Sequence, residues 1–512
     1  MQLSTKHQNQ QQVEFYDFTG GLNTSTTEEQ IAENQLAKSV NFEVQATTGL
    51  LKTVDGTKKL YRLPIDSDFK LISAEYDVLN KHIVLFADNG TVLTTKLDFK
   101  KVLHIGRLSS NLVPITTVWE DGLIVASGGY LQYIAGYQMK TIDTSPNICK
   151  GCYVRSGRIL AFDDELVQYS GVGDEDNWTR DSNDPSSSLF VEAGYKAGGK
   201  IIGMVNMSSD ILIIKDNGML FRLEGEFPEW RIHEVGRNVE CRSRNAYCNV
   251  LSNTFILGSE RLQVIMTTNE YGSMKPADIA QNVTKEIKKL SNNARLRYVA
   301  PLNQMWIIDS TKDVLIYDLK TQSFFKRRFN AVVVDALSID ENVYIIKTDG
   351  VDIIDEYSYK DEGSPIEYEL QLKTHISHYD YLVKRVVLAC TGFAESATNA
   401  TLYIGRTIKV PIPVQYIYGL NSVVYDNNNY VYFNQDYVYK NTFNSIVYTN
   451  QEKYVFGNLE YVFDNNDFIL DFYSYAISDK RIRYRDKAIR IKLNGAGCKF
   501  ILNKLKLDIV EV

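Results

Sequence analysis

The only place in the chain where carboxylates crowd is Gly171 to Asp184 (GVGDEDNWTRDSND), with Asp174, Glu175 and Asp176 consecutive and Trp178 two residues on. Convergent carboxylates suit two chemistries. One carboxylic acid and one carboxylate can hydrolyse a glycosidic bond, and several carboxylate oxygens can hold calcium. Ser170 with Trp178 also suggests the Asp-box hairpin of sialidases, but the spacing differs. The structural reading of the same residues is a loop in which Asp and Asn cap turns and Trp178 packs back on a sheet.

Other candidates are thinner. Cys149 and Cys152 form a CxxC, half of a zinc site or a redox pair, with no second CxxC to complete it; Cys241, Cys248, Cys390 and Cys498 are scattered. A structural zinc site needs four placed ligands, so small core residues are the expected reading. His375 and His378, three apart on a strand-to-turn segment, would not point at one ion, because side chains alternate along a strand. Gly198-Gly-Lys-Ile-Ile-Gly lacks the Ser/Thr ending of a phosphate loop, and neither GxGxxG before a helix nor GxSxG occurs. The residues thus imply no catalytic group, no metal and no cofactor.

What must position any site is a β framework. The recurring unit is a β-branched or aromatic run, a Gly, Asn, Asp or Ser turn, and a second alternating run, which reads as a β-hairpin. It occurs at His82 to Thr95, Gly122 to Ile134, Gly157 to Tyr169, Asp210 to Leu223, Asn253 to Met266, Gln304 to Asp318 and Asn342 to Asp355. Three of the seven carry Asn-Gly or Asp-Gly turns (Asn89-Gly90, Asn217-Gly218, Asp349-Gly350). Hairpins repeating roughly every 35 to 50 residues predict an all-β chain built on a six- or seven-bladed propeller, each hairpin supplying two of a blade's four strands. The ring is expected to close through Glu14 to Phe18 or Phe42 to Gln45. Helices are expected only at Glu28 to Val40, where Ile31, Leu36, Ala37 and Val40 make an apolar stripe, and at Pro276 to Leu290.

The expected domains are 1–65, an N-terminal strap with the closing strand; 66–360, the propeller; and 361–512, a β-sandwich after a turn-rich linker, Lys360 to Pro365. Within the last lies an Asn/Tyr-rich insertion, 416–463, whose Tyr430, Tyr432, Tyr437, Tyr439, Tyr454 and Tyr461 form a candidate contact surface, since tyrosine gives rigid contact area at low entropic cost.

The 512 residues carry 56 Lys and Arg against 63 Asp and Glu, a net charge of −7, with 44% hydrophobic residues and 12% aromatics. Such values exclude collagen-like, disordered and mini-protein classes. No apolar run approaches the roughly 20 residues of a spanning helix, and Met1 to Gln12 is polar where a secretory signal would be apolar, so folding in a cytoplasm is expected. With an acidic balance and no basic cluster beyond short pairs, a grip on nucleic-acid phosphates is not expected.

Several motifs, in order, resemble the propeller-bearing nozzle proteins of short-tailed double-stranded DNA bacteriophages, also called tail tubular protein B or phage stabilisation (head-closure) proteins. The likeness begins at Phe18-Thr-Gly-Gly-Leu-Asn23, Asn34-Gln35, Asn41, Gly49-Leu50 and Gly56, similar to that family's N-terminal strap. It continues through Tyr169 to Trp178, Ile211 to Asn217, Met219 to Leu223, Trp230-Arg-Ile232, Gly236, Cys241-Arg-Ser243 and Ile316-Tyr-Asp318 to Phe325. It ends with Leu370 to Thr374, Lys384-Arg385, Val386 to Cys390, Ala488 to Leu493 and Phe500 to Val510. The resemblance spans most of the chain except the insertion and lacks one Trp, replaced by Phe325.

The resemblance implies a virion structural protein of the tail, assembled in the host cytoplasm as a homo-oligomeric, six-fold ring around the DNA channel, acting in DNA retention and ejection. Its implied partners are adaptor or portal-proximal ring proteins, tail fibre or tip proteins, and viral DNA passing without sequence-specific binding. Gly20, Gly21, Leu22 and Asn23 would set the strap turn that docks on this or a neighbouring subunit. The competing readings are a carbohydrate-active propeller enzyme using Asp174, Glu175, Asp176 and Trp178, and a receptor- or sugar-binding tail module using the insertion.

Overall fold

The computed structural model describes residues 10–511 except 182, 195, 208–209, 226–229, 251–252, 268–273, 357, 395–399, 413–414 and, within 419–474, all but four short strand segments. The described chain is almost entirely β and divides into two compact units. The second unit is Lys58–Tyr317 with Phe329–Ile354; the first is Met1–Thr57, Asp318–Arg328 and Asp355–Val512. These bounds run differently from the expected 1–65, 66–360 and 361–512, because the N-terminal segment joins the C-terminal one.

The second unit is propeller-like. Its first sheet consists of Leu71–Asp77, His82–Ala87, Thr91–Lys96 and Val102–Arg107, each antiparallel to the last. Four more four-stranded meanders follow, with second strands at Gly122–Ala126, Arg158–Phe162, Asp210–Lys215 and Asn253–Leu257. The remaining strands are neighbours in the order Arg295–Val299, Gln304–Ile308, Thr311–Asp318, Ser323–Ile339, Asn342–Lys347, Gly350–Asp355 and Gly56–Arg62. The 17-residue Ser323–Ile339 is shared between the units, and its Val333 to Ile339 pair with Asn342–Lys347.

Most of these second strands are buried along their whole length, because each sheet is covered on its two faces by its two neighbours. Alternation divides the two faces. In His82–Ala87, Val84 and Phe86 pack with Leu123, Val125 and Ile134 of the following sheet, while Ile83 and Leu85 pack with Leu337, Tyr344 and Ile346 of the last. Likewise Ile159 and Ala161 join Ile124 and Ala126, whereas Leu160 and Phe162 join Ile211 and Ile213. Last packing against first makes the stack of sheets a closed circuit.

Closure uses a strand that the sequence reading did not nominate. Gly56–Arg62 lies beside Gly350–Asp355. The expected closing segments sit elsewhere: Gln10–Phe15 pairs with Cys498–Glu511, and Phe42–Val44 with Leu51–Thr53. The chain is drawn tight at this closure, since a Cβ on Gly350 would lie 2.2 Å from the Tyr61 carbonyl oxygen.

The first unit has two sheets over one core. One sheet runs Phe42–Val44, Leu51–Thr53, Cys498–Glu511, His375–Ala394, with Gln10–Phe15 on Cys498–Glu511 and Tyr475–Ile489 on His375–Ala394. The other runs Gly21–Leu22, Gln35–Val40, Glu367–Leu372, Ile491–Ala496, Ala400–Ile404 and Ile408–Pro411. Val383, Val386, Leu388, Leu505 and Leu507 of the first meet Leu36, Leu370, Leu402, Ile404 and Leu493 of the second, as in a sandwich.

Three local expectations are corrected. Residues 28–40 hold no helix: Ile31 is buried within turns and Gln35–Val40 is a strand paired with Glu367–Leu372, so sheet pairing overrides the helical spacing. Over 276–290, Pro276 lies in the edge strand Met274–Asp278, and only Gln281–Val283 and Thr284–Ile287 are helical. Lys360 to Pro365 is a small hairpin, Lys360–Asp361 with Ser364–Pro365, turned through left-handed Glu362 and Gly363.

Candidate functional site

The acidic loop is tied down rather than poised for chemistry. The Lys140 ammonium lies 2.7 Å from Glu175 Oε1 and 3.2 Å from Asp176 Oδ2, and Trp119 Nε1 donates to Glu175 Oε2 at 3.3 Å. Partial burial works against the Glu175 charge, yet the hydrogen bonds from Lys140 and Trp119 hold its pKa below the usual carboxylate value. A glycosidic general acid needs the opposite shift. Asp174 accepts from the Asp176 backbone N–H at 2.9 Å, and Trp178 donates to the Glu175 carbonyl at 2.7 Å while packing beside Cys149 and Ile159. At the loop's base the buried Arg158 guanidinium donates to the carbonyls of Ser170, Ser187 and Pro185 at 2.7 to 2.8 Å.

Cys149 and Cys152 are buried and free, among the apolar residues between two sheets. Burial pushes the Cys149 thiol up to about 12 and Cys152 higher still. The thiolate is the reactive species, so at pH 8 both should resist a thiol reagent in the native protein and react only after denaturation. Rapid native labelling of the pair would show a redox or metal-binding role. Among the described residues no group of three or more His, Cys, Asp or Glu converges as a metal would require. His375 packs edge-on against Phe15, with ring centroids 5.9 Å apart, and stands 3.6 Å from Glu33.

The Gly20 to Asn23 turn lies within the first unit. Gly21–Leu22 forms a two-residue parallel bridge to Gln35–Leu36, Leu22 is buried, and Asn23 folds back on the chain. The Asn23 amide donates to Gln35 Oε1 at 2.9 Å, and its oxygen accepts from the Ser25 N–H at 3.1 Å. Gly21 has φ +58°, and a Cβ there would lie 2.7 Å from Ser323 Cβ and 2.8 Å from the Phe324 carbonyl oxygen. Gly21→Ala should therefore destabilise this unit by about 2 kcal/mol, left-handed strain plus contact, in chemical denaturation monitored by circular dichroism.

Of the tyrosine surface, Tyr432, Tyr437, Tyr454 and Tyr461 lie outside the described residues. Tyr430 and Tyr439 fall in the strands Asn429–Val431 and Val438–Lys440, described for their backbone alone.

Two sets of basic residues escaped the sequence reading. Strand Tyr475–Ile489 exposes Lys480, Arg481, Arg483, Arg485 and Lys487, a run beyond short pairs; Arg485 is held by Asp380 at 2.7 Å. Among the described strands it pairs only with His375–Ala394, and charge on such an edge discourages pairing with another chain.

The second set lines a cavity of about 540 Å³ in the second unit, where the first strands of successive sheets begin. Lys150, Lys200, Arg242, Arg244 and Arg295 face Asp164 and Asp216 there. Arg244 bridges two loops, donating to the Lys150 carbonyl and, at 2.8 Å, to that of Val113. Lys150 and Lys200 share Asp164, the latter at 3.3 Å, and hydrogen bonding to Lys150 keeps that carboxyl below its usual pKa. Arg242 donates to carbonyls of Gly258, Ser259 and Leu290 at 2.6 to 3.0 Å. Arg295 is drawn onto buried Asp335 at 2.6 Å. Lys150, Lys200, Arg244 and Arg295 recur at 44 to 51 residues, near the hairpin period, a signal visible only once the phase of the repeat is known.

No protein-family model matches the chain, and no curated protein matches it. Similar solved structures include BamB from Moraxella catarrhalis, at 10% identity and TM-score 0.39 over 67% of this chain and 97% of that one. YCF48 from Cyanidioschyzon merolae has 10% identity and TM-score 0.37 over 57% and 97%. The β-propeller domain of Myceliophteria thermophila Cps50 (Swd1) has 9% identity and TM-score 0.40 over 59% and 98%.

Proposed function

We propose that the chain is a structural protein of a short-tailed bacteriophage: a tail nozzle that forms a ring around the DNA channel and acts in DNA retention and ejection. The observation that supports this reading is the fate of the N-terminal segment. Residues 10–57 supply strands to both sheets of the unit made by residues 355–511, as a strap would, and the segment then hands over to the strand that closes the other unit. In this reading the second unit is a seven-bladed propeller. Five four-stranded sheets are five blades; Arg295–Val299 to the start of Ser323–Ile339 is the sixth, and the remainder with Gly56–Arg62 is the seventh. The sandwich is the platform that packs into a six-fold ring against an adaptor, and the Asn/Tyr-rich insertion meets tip or fibre proteins.

The test is genetic. Phage carrying a stop codon early in this gene should yield particles that lose their DNA or fail to deliver it, and supplying the chain in trans should restore both. Full particles that adsorb but release no sugar from host envelope would instead favour the carbohydrate-active reading, and full particles that no longer adsorb would favour the receptor-binding one.

A further inference from the structure

We infer that the cavity at the start of the first strands is a binding site for a small multivalent oxyanion, bearing phosphate or carboxylate groups. Its lining is unbalanced: five cationic side chains against two carboxylates. Lys150 and Lys200 share one of those carboxylates, and Asp216 receives the Lys200 backbone N–H at 2.7 Å. Arg295 is neutralised from behind by Asp335.

Arg244, like Arg242, is held by carbonyls, but it uses fewer of its donors. Its two hydrogen bonds go to carbonyl oxygens, and among the described residues no ion pair joins it to a carboxylate. Burial alone drags its pKa below the ordinary guanidinium value, yet an arginine in a protein keeps its charge. A partly buried cation held only by neutral dipoles gains when an anion completes it. Two of its five N–H donors are used, leaving others to pair with an oxyanion in the planar fashion guanidinium favours.

The surroundings suit such a ligand. Arg242 is clamped by carbonyls of Gly258, Ser259 and Leu290, so it contributes positive potential from a fixed place. The Lys200 side chain is two-thirds exposed, at 66%, and has ammonium donors free to swing onto an anion. A volume of about 540 Å³ is that of a small-molecule pocket. Because first strands from several sheets contribute, the site exists only in the closed stack. It does not depend on the tail reading.

The experiment is calorimetric titration of the full chain with inorganic pyrophosphate, and separately with citrate, in buffer of fixed ionic strength near that of 0.15 M salt. Saturable binding to one site with a dissociation constant below about 1 mM is expected for at least one of them. Whichever probe binds distinguishes a phosphate from a carboxylate ligand. Arg244→Gln should weaken binding at least tenfold. Since Arg244 also bridges two loops, Lys200→Gln serves as a variant on an exposed side chain and should weaken it severalfold, while Lys100→Gln, in an exposed loop, should leave it unchanged. Absence of saturable heat with both probes in the wild-type protein, or equal affinity in wild type, Arg244→Gln and Lys200→Gln, would overturn the site.

Discussion

Asp335→Asn should destabilise the second unit by about 3–5 kcal/mol, the loss expected when one partner leaves a buried ion cluster. The carboxylate is fully buried and holds two arginines, Arg295 Nη1 at 2.6 Å and Arg297 Nε at 2.7 Å and Nη2 at 2.9 Å. It also accepts from Ser73 Oγ at 2.8 Å and the Ala74 N–H at 3.2 Å. These partners lie on Leu71–Asp77 and Arg295–Val299, so one side chain of Ser323–Ile339 stitches the first four-stranded sheet to the unit's last strands. An amide would turn two N–H groups toward guanidinium donors and supply no charge. All four tryptophans, 119, 178, 230 and 306, lie in this unit, so tryptophan fluorescence during urea unfolding reports it selectively.

The same cluster predicts an acid limb. Burial opposes the Asp335 charge, but Arg295 and Arg297 outweigh it and hold the carboxyl far below the usual carboxylate range. A group depressed on folding stabilises fully above its unfolded pKa of about 3.9 and loses that contribution as pH falls toward the native value. Wild type should therefore lose stability below about pH 4 more steeply than Asp335→Asn, which lacks this titration. Parallel acid limbs in the two proteins would refute the assignment.

Asp352→Asn is expected to act on closure. Asp352 and Lys347 are both fully buried and paired, and Arg62 Nη2 of the closing strand reaches Asp352 Oδ1 at 2.5 Å. Lys347 also donates to Asn330 Oδ1 at 2.6 Å. Without the carboxylate a buried ammonium loses its counter-charge and Gly56–Arg62 loses a side-chain anchor, again at about 3–5 kcal/mol. Hydrogen exchange should quicken first in 58–62 and 350–354, before the global transition. Replacing the pair together, Lys347→Met with Asp352→Leu, should recover much of the loss, since a buried pair exchanged for apolar side chains is often near neutral. If the double variant is as unstable as the single one, the charge account of closure fails.

The hairpins were legible because their cause is local. Asn89-Gly90, Asn217-Gly218 and Asp349-Gly350 supply tight turns between β-branched runs, and those runs become the buried central strands. The closing strand was not. GTKKLYR has two exposed lysines and no turn signal of its own, and what selects it is a partner nearly 300 residues away. The apolar spacing of Ile31, Leu36, Ala37 and Val40 suggested a helix, yet the ladder with Glu367–Leu372 decides that segment, and no local pattern reports a ladder.

The candidate chemistry fared similarly. Carboxylate crowding at Asp174 to Asp176 was visible, but its neutralisation by Lys140, 35 residues away in sequence, was not. The basic lining was hidden for the opposite reason: Lys150, Lys200, Arg244 and Arg295 are single residues in unremarkable contexts, brought together only when the sheets stack in a circuit.

The central claim is a location, and immunogold electron microscopy of purified phage particles, with an antibody against this chain, tests it most directly. The nozzle reading predicts gold at the distal tip of the tail in most particles. Particles that contain no detectable chain, or gold spread over the head, would contradict it.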